Sequence, residues 1–190
     1  LFIMIADMPM PQAKESLAAL NKMGISDIRM FTGDNEAVAN KIANIMGIDS
    51  VQALMTPEQK LTELEKLIAA SGKLAMVGDG VNDAAALARA DVGIAMGSGG
   101  AAVAVEAADI VVLNDDLSRL PEMILYSRQV MSVIRWDMII WLLSNILGFT
   151  LVFMGVFGPA LAAFYNFVSD FFPLINSVRL FRKKIPTVSV

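Results

Sequence analysis

The sequence contains no cysteine and no histidine. The first absence excludes a disulfide framework and a thiolate metal cluster, and the second excludes an imidazole base or ligand, so a metal bound by this chain is expected to be held by oxygen. Charge is also missing from one long stretch: residues 138–169 carry none, 32 positions in a row. That is too long for one core helix of a soluble protein and suits a pair of membrane spans at about 20 apolar residues each. Gly155 and Gly158-Pro159 punctuate the stretch as a hairpin. The competing reading is a very apolar hairpin buried in a soluble protein.

The charge that is present is unevenly divided. Residues 1–127 hold 9 Lys+Arg against 17 Asp+Glu, whereas residues 128–190 hold 6 against 2. An acidic part therefore precedes a basic, apolar one. The basic residues flank the apolar stretch instead of forming a stripe on a polar surface, which argues against nucleic acid as a partner. Arg128 and Arg135 precede the first expected span, and Arg179, Arg182, Lys183 and Lys184 follow the second. The positive-inside rule then places both ends of the hairpin, and the acidic part with them, in the cytoplasm. With 56% hydrophobic residues in 190, the chain is not a disordered tail. It begins at Leu1 with no targeting pattern, and the expectation is a truncated chain.

Apolar runs and helical periodicities alternate along the acidic part. Strands are expected at 1–6, 27–31, 51–54, 73–77, 92–95 and 110–113, and helices at 12–23, 35–46, 57–70 and 83–90, with Gly24 and Gly47 as stops. This alternation predicts an α/β fold, a parallel sheet covered on both faces in a Rossmann-like layout. Ligands gather at the carboxyl ends of strands in such a sheet. Three polar, glycine-containing segments are expected just after strands and converging on one crevice: Thr32-Gly33-Asp34, Gly78-Asp79-Gly80 and residues 93–100.

Asp79 and Asp83, four apart around glycines at the end of an apolar run, concentrate negative charge where backbone can approach closely. That suits a hard divalent cation such as Mg²⁺ beside a phosphate, with Asn82 as a hydrogen-bond donor. By composition alone such a loop is more often a simple turn. Thr32, Gly33 and Asp34 offer a hydroxyl and backbone N–H groups suited to an anion, or else a helix N-cap with no ligand. Lys60 on an amphipathic helix reads by itself as a solvated charge. In the apolar part, Asn166, Ser169 and Asp170 fall at i, i+3 and i+4 on one helix face, and Asn145 lies on the preceding span. Polar groups inside spans are candidate ligands for a transported ion, or hydrogen-bonding glue between helices.

The runs MFTGDN, TPEQK and MVGDGVNDAAALARADVGIAMG, in this order and spacing, resemble P-type cation-transporting ATPases, and the resemblance extends over essentially the whole chain. It implies a haloacid-dehalogenase-like phosphorylation domain, present in part over 1–127, then two transmembrane helices at about 136–155 and 159–178 within 128–184, and a tail at 185–190. It further implies that Thr32, Gly33 and Asp34 lie by the phosphoryl group, that Lys60 neutralises its oxygens, that Asp79 ligates Mg²⁺, and that Asn82 and Asp83 complete the site, with Asp83 also toward Mg²⁺. The family's Asp-Lys-Thr-Gly-Thr nucleophile motif is not in this sequence. Its aspartyl phosphate and most of its ATP contacts therefore belong outside this chain, which alone is expected to be inactive. Two spans after the phosphorylation domain resemble the heavy-metal subgroup, in the bacterial plasma membrane. Asn145 stands where the zinc and cadmium members have a lysine, Asn166 stands where they have an aspartate, and the Met-Ser-Ser run of the copper members is missing. Oxygen ligands at Asn145, Asn166, Ser169 and Asp170 point to a divalent cation such as manganese, iron, zinc, cadmium or cobalt. A soluble phosphatase of the same fold and a non-catalytic membrane remnant remain as competing readings.

Overall fold

The structure, a computed structural model, describes residues 11–71, 73–78, 82–96, 106–113 and 116–182. The chain divides into two compact units, the first running to Pro121 and the second starting at Glu122.

The first unit alternates helix and strand: α1 (Pro11–Lys22), β1 (Arg29–Phe31), α2 (Glu36–Met46), β2 (Ser50–Gln52), α3 (Pro57–Ser71), β3 (Ala75–Gly78), α4 (Ala84–Arg89), β4 (Val92–Met96) and β5 (Ile110–Val112). Every strand pairing is parallel: Met30 faces Val51, Val77 faces Ile94, and Ala95 faces Val111. The α/β alternation expected from the sequence is thus observed. Instead of one continuous sheet, the described strands form two hydrogen-bonded pieces, β1-β2 and β3-β4-β5. The strand expected at 1–6 lies outside the described residues.

Local chemistry explains the boundaries. Thr56-Pro57-Glu58-Gln59 is a capping box: the Thr56 N–H donates to Gln59 Oε1 at 2.8 Å, and the Gln59 N–H donates to Thr56 Oγ1 at 3.3 Å. Two orphan donors are satisfied reciprocally, and Pro57 at the first helical position gives up nothing. α2 is capped by Asn35, whose Oδ1 accepts the Val38 N–H at 3.0 Å. β4 is the most buried strand. Its Ala95 packs with the fully buried Leu87 of α4, and Met76, Ala107, Ala108 and Val111 surround that pair.

Gly93 corrects one expectation, because it lies inside β4 and not in a loop after a strand; residues 97–100 of that segment are outside the described residues. A Cβ built on Gly93 would stand 2.4 Å from the Leu87 carbonyl oxygen. The glycine is there so that the end of α4 can lie directly against the strand.

In the second unit the first apolar stretch belongs to α5 (Arg119–Phe153). At 1.5 Å per residue its 35 residues extend about 50 Å, longer than the roughly 30 Å hydrocarbon layer. Its charged N-terminal half can therefore stand outside a bilayer while 138–153 is inside. This helix is long and apolar enough to cross a membrane, and only 6% of its most apolar window is buried, which is not the pattern of a soluble core helix. Gly155, at φ 73°, closes the helix: the Val156 N–H reaches back to the Leu151 carbonyl at 3.0 Å and the Gly155 N–H to Val152 at 3.0 Å. This left-handed stop starts the hairpin turn.

The second apolar stretch differs from the expected single helix over 159–178. It consists of α6 (Pro159–Ser169), α7 (Phe171–Ser177) and α8 (Arg179–Arg182), separated at Asp170 and Val178, which both keep helical backbone angles. Pro173 accounts for the first break, since it has no N–H for the Ser169 carbonyl and its ring crowds that carbonyl. The Asn166 carbonyl still receives the Asp170 N–H at 3.2 Å, the ordinary helical bond, together with the Ser169 hydroxyl at 3.0 Å.

Gly93→Ala is expected to destabilise the protein by about 1–3 kcal/mol, the usual range for overpacking. Denaturant unfolding followed by circular dichroism checks this; an unchanged midpoint would show that α4 and β4 separate freely.

Candidate active site

The loop after β1 is tied to the loop after β2 by main-chain bonds. The Thr32 N–H donates to the Gln52 carbonyl at 3.0 Å, the Leu54 N–H to Asp34 at 2.9 Å, and the Met55 N–H to Thr32 at 3.0 Å. Leu54 adopts φ 56°, a conformation unusual for leucine, to make its part of this junction. One residue beyond Met55 the capping box starts α3, which puts Lys60 in the first helical turn. From there the Lys60 Nζ donates to Asp83 Oδ1 at 2.7 Å, with both side chains largely buried at 13% and 12% exposure. Asp83 follows β3. A continuous set of short bonds thus links the Thr32 loop, the α3 N-terminus and the α4 N-terminus.

Two side chains at helix starts have been diverted from capping. Asp83 occupies the N-cap position of α4 yet makes no cap hydrogen bond, because its carboxylate is turned to Lys60. Asp34 does not cap α2 either, since Asn35 does. Asp34 Oδ2 instead accepts the Thr32 hydroxyl at 2.9 Å, and the Asp34 N–H donates back to Thr32 Oγ1 at 3.1 Å. The capping alternative for Thr32 and Asp34 is thereby removed, although Asn35, a good N-cap residue just before the helical pattern, was legible as the cap. Gly33 and Asp34 are exposed and Thr32 is half-buried, so this loop presents its polar groups to solvent. Asn82 is exposed next to Asp83, and Asp79 and Gly80 lie outside the described residues. At the α3 start, the Glu58 backbone N–H, and after it the Thr56 hydroxyl, hold the Glu58 carboxyl below the usual carboxylate range.

Similarity to known proteins covers both units. Residues 2–91 match a family model described as haloacid dehalogenase-like hydrolase. The copper-exporting P-type ATPase of Staphylococcus aureus strain JH9 is 39% identical over 183 residues, 96% of this chain and 23% of that protein. The crystal structure of a zinc-transporting PIB-type ATPase in its E2.Pi state superposes with a TM-score of 0.85 at 33% identity, over 93% of this chain and 28% of that one. The chain belongs to the heavy-metal P-type ATPases. It spans about a quarter of the length of these relatives. The catalytic domain of the CPx-ATPase CopB-B also matches, at 36% identity and TM-score 0.57, over 63% of this chain and 46% of that one. A soluble phosphatase of the same fold leaves the apolar hairpin unexplained, whereas the P-type ATPase match includes it.

In this P-type ATPase chain, the residues proposed from sequence for a transported ion make hydrogen bonds within their own helices. The Asn145 amide donates to the Trp141 carbonyl of its own helix at 2.8 Å. Ser169 is buried and donates to Asn166 O, while Asn166 and Asp170 are exposed at the end of α6 and the break after it. Among the described residues no group of three or more acidic side chains is placed to hold a metal. What the sequence reading missed is the contact of α5 with the following helices. The Tyr165 hydroxyl donates to the Ser144 carbonyl at 2.8 Å, its ring lies over Gly148, and Asp137 accepts from Asn176 and Ser177. The signals available were a lone carboxylate just before an uncharged run and a Ser-xxx-Gly spacing, since small residues let neighbouring helices approach.

Removing one partner of a buried pair leaves the other charge uncompensated, at about 3–5 kcal/mol. Lys60→Met and Asp83→Asn are each expected to destabilise on that scale, and the double variant by clearly less than the sum. A double-mutant cycle from denaturant unfolding checks this, and additive losses would mean that the pair is not coupled. Thr56→Ala should cost about 1 kcal/mol in the same assay, through loss of the cap that sets Lys60.

Proposed function

We propose that this chain forms the phosphoryl-transfer and membrane parts of a pump that uses ATP to export a divalent transition-metal cation through an aspartyl phosphate. In this reading residues 1–127 belong to the phosphorylation domain and 128–184 to a two-span hairpin. The bonded linkage from the Thr32 loop through α3 to Asp83, with the Lys60 ammonium at its centre, is the observation that carries it.

Phosphoryl transfer makes a bond from an aspartate oxygen to the γ-phosphorus and breaks the bond to the bridging oxygen of ADP. The charge in transit is spread over the three equatorial oxygens, so catalysis consists mostly of positioning and neutralising that charge. The aspartate comes from an Asp-Lys-Thr-Gly-Thr segment, which is not in this sequence. Lys60 supplies the positive charge, and its bond to Asp83 holds the ammonium in place before the phosphate arrives, so no reorganisation is needed at the moment of transfer. The Thr32 hydroxyl, now on Asp34, can turn to a phosphoryl oxygen, and the Gly33 N–H stands beside it. The donor chemistry of Asp83 and Asn82 fits Mg²⁺, an oxygen-seeking cation; Asp79 and Asp83 would hold it, and it would neutralise phosphate oxygens. ATP is the phosphoryl donor, bound mainly by residues outside this chain.

The exported ion would be held by Asn166, Ser169 and Asp170, with Asn145 nearby, and by ligands from other helices. Oxygen donors favour harder divalent ions, among manganese, iron, zinc, cadmium and cobalt. Arg128, Arg135, Arg179 and Arg182 favour an orientation with the phosphorylation domain and both hairpin ends in the cytoplasm, and the membrane proposed is a bacterial plasma membrane.

The test is ATP hydrolysis by the full-length protein in lipid, titrated with Mn²⁺, Fe²⁺, Zn²⁺, Cd²⁺, Co²⁺ and Cu⁺. One ion is expected to activate, with Asp83→Ala abolishing turnover and Asp170→Ala raising the half-activating metal concentration. If no ion activates a folded protein, the transport reading fails.

A further inference from the structure

Asp137 stands in α5 immediately before the uncharged stretch, and both of its carboxylate oxygens are engaged. Oδ1 accepts the Asn176 amide at 2.7 Å, and Oδ2 accepts the Ser177 hydroxyl at 2.6 Å. The Arg179 guanidinium in turn donates to Asn176 Oδ1 at 3.2 Å. Guanidinium, amide, carboxylate and hydroxyl therefore form one chain, with the amide bonded on both sides. A carboxylate at the edge of an apolar stretch is costly unless it is hydrogen-bonded, and here both oxygens are. An ion would have to displace two donors to reach it, so the geometry is that of a fastening and not of an open ligand.

The position of the fastening matters because the second stretch is broken. Asp170 lies at the joint between α6 and α7. Before the joint, Tyr165 is held to α5 by its bond to the Ser144 carbonyl, and its ring sits where a Cβ on Gly148 would come within 2.7 Å. After the joint, Asn176 and Ser177 are held to α5 by Asp137. Pro173 removes one main-chain hydrogen bond next to this joint, where Asp170 keeps helical backbone angles, and attachments on both sides hold the segment to α5. Tyr165 supplies one and Asp137 the other.

We propose that Asp137 is a positioning residue: its clasp on Asn176 and Ser177, acting with the Tyr165 contact, makes the hairpin one rigid body and fixes the geometry of Asp170 at the break. The link to ion affinity rests on the transport reading above, whereas the rigid-body claim does not. Asp137→Asn keeps both contacts, since its amide oxygen accepts from Asn176 and its NH₂ donates to the Ser177 hydroxyl. Asp137→Ala removes both, and Ser177→Ala removes one.

The experiment uses the full-length protein in lipid, with spin labels at Met131 and Phe181, two exposed positions on α5 and α8. The inter-label distance distribution is expected to be narrow in the parent and in Asp137→Asn, broad in Asp137→Ala, and intermediate in Ser177→Ala. In parallel, Asp137→Ala should raise the half-activating metal concentration about tenfold, the scale of one to two hydrogen bonds between spans, and Asp137→Asn should restore it to within about threefold. An unbroadened distribution in Asp137→Ala and Ser177→Ala would overturn the clasp. So would an Asp137→Asn variant as impaired as Asp137→Ala, because the charge and not the hydrogen bonding would then be needed. If no metal activates even the parent, the transport reading falls and the label distances alone decide the clasp.

Discussion

The bond between Lys60 and Asp83 is the constraint around which the first unit is arranged. It joins the first turn of α3 to the start of α4, and each end is prepared by its own local chemistry. On one side the Thr56–Gln59 capping box fixes where α3 begins, and hence where Lys60 stands. On the other, Gly78 leaves room for Asp83, whose Oδ2 would lie 3.0 Å from a Cβ at that position. Asp83 also forgoes the cap bond that its place would normally give it. A buried ion pair returns little net stability against the desolvation of its two charges. On the function proposed above, diverting a capping residue into such a pair holds a cation ready for an incoming anion.

The second unit meets a different solvent problem by similar means. Apolar helix surfaces gain nothing from each other in lipid, so close backbone approach and a few hydrogen bonds decide how they pack. Gly148 under the Tyr165 ring supplies the close approach, and Tyr165 to Ser144 and Asp137 to Asn176 and Ser177 supply the bonds. The Phe157 ring, 5.4 Å from that of Tyr165, packs next to the turn closed by Gly155. Large side chains such as Trp136, Trp141, Leu143 and Phe164 remain exposed, as expected of a surface meant for lipid or for further helices.

Much of the first unit was legible because its signals are local. The helix over 57–70, the strand over 92–95 and the stop at Gly47 each follow from periodicity or a terminator within a few residues, and each lies within about two residues of the observed element. Grouping Thr32, Lys60 and Asp83 required more. Spacing gave Lys60 only as a solvated charge, and the resemblance to P-type ATPases implied its role before the structure put it against Asp83. The failures are non-local. Gly93 looks like loop glycine until α4 is laid on β4. Asp137 looks like one more flanking charge until residues 39 and 40 positions later fold back on it. The division of the second stretch was written in Pro173, but hydrophobic length alone could not reveal it.

The most direct measurement is transfer of label from γ-³²P-ATP to the full-length protein. The account predicts a hydroxylamine-sensitive acyl phosphate that forms with the transported cation present and is lost when Lys60 is replaced by alanine. A folded protein that takes up no label with any cation, or that labels equally well without Lys60, would contradict it.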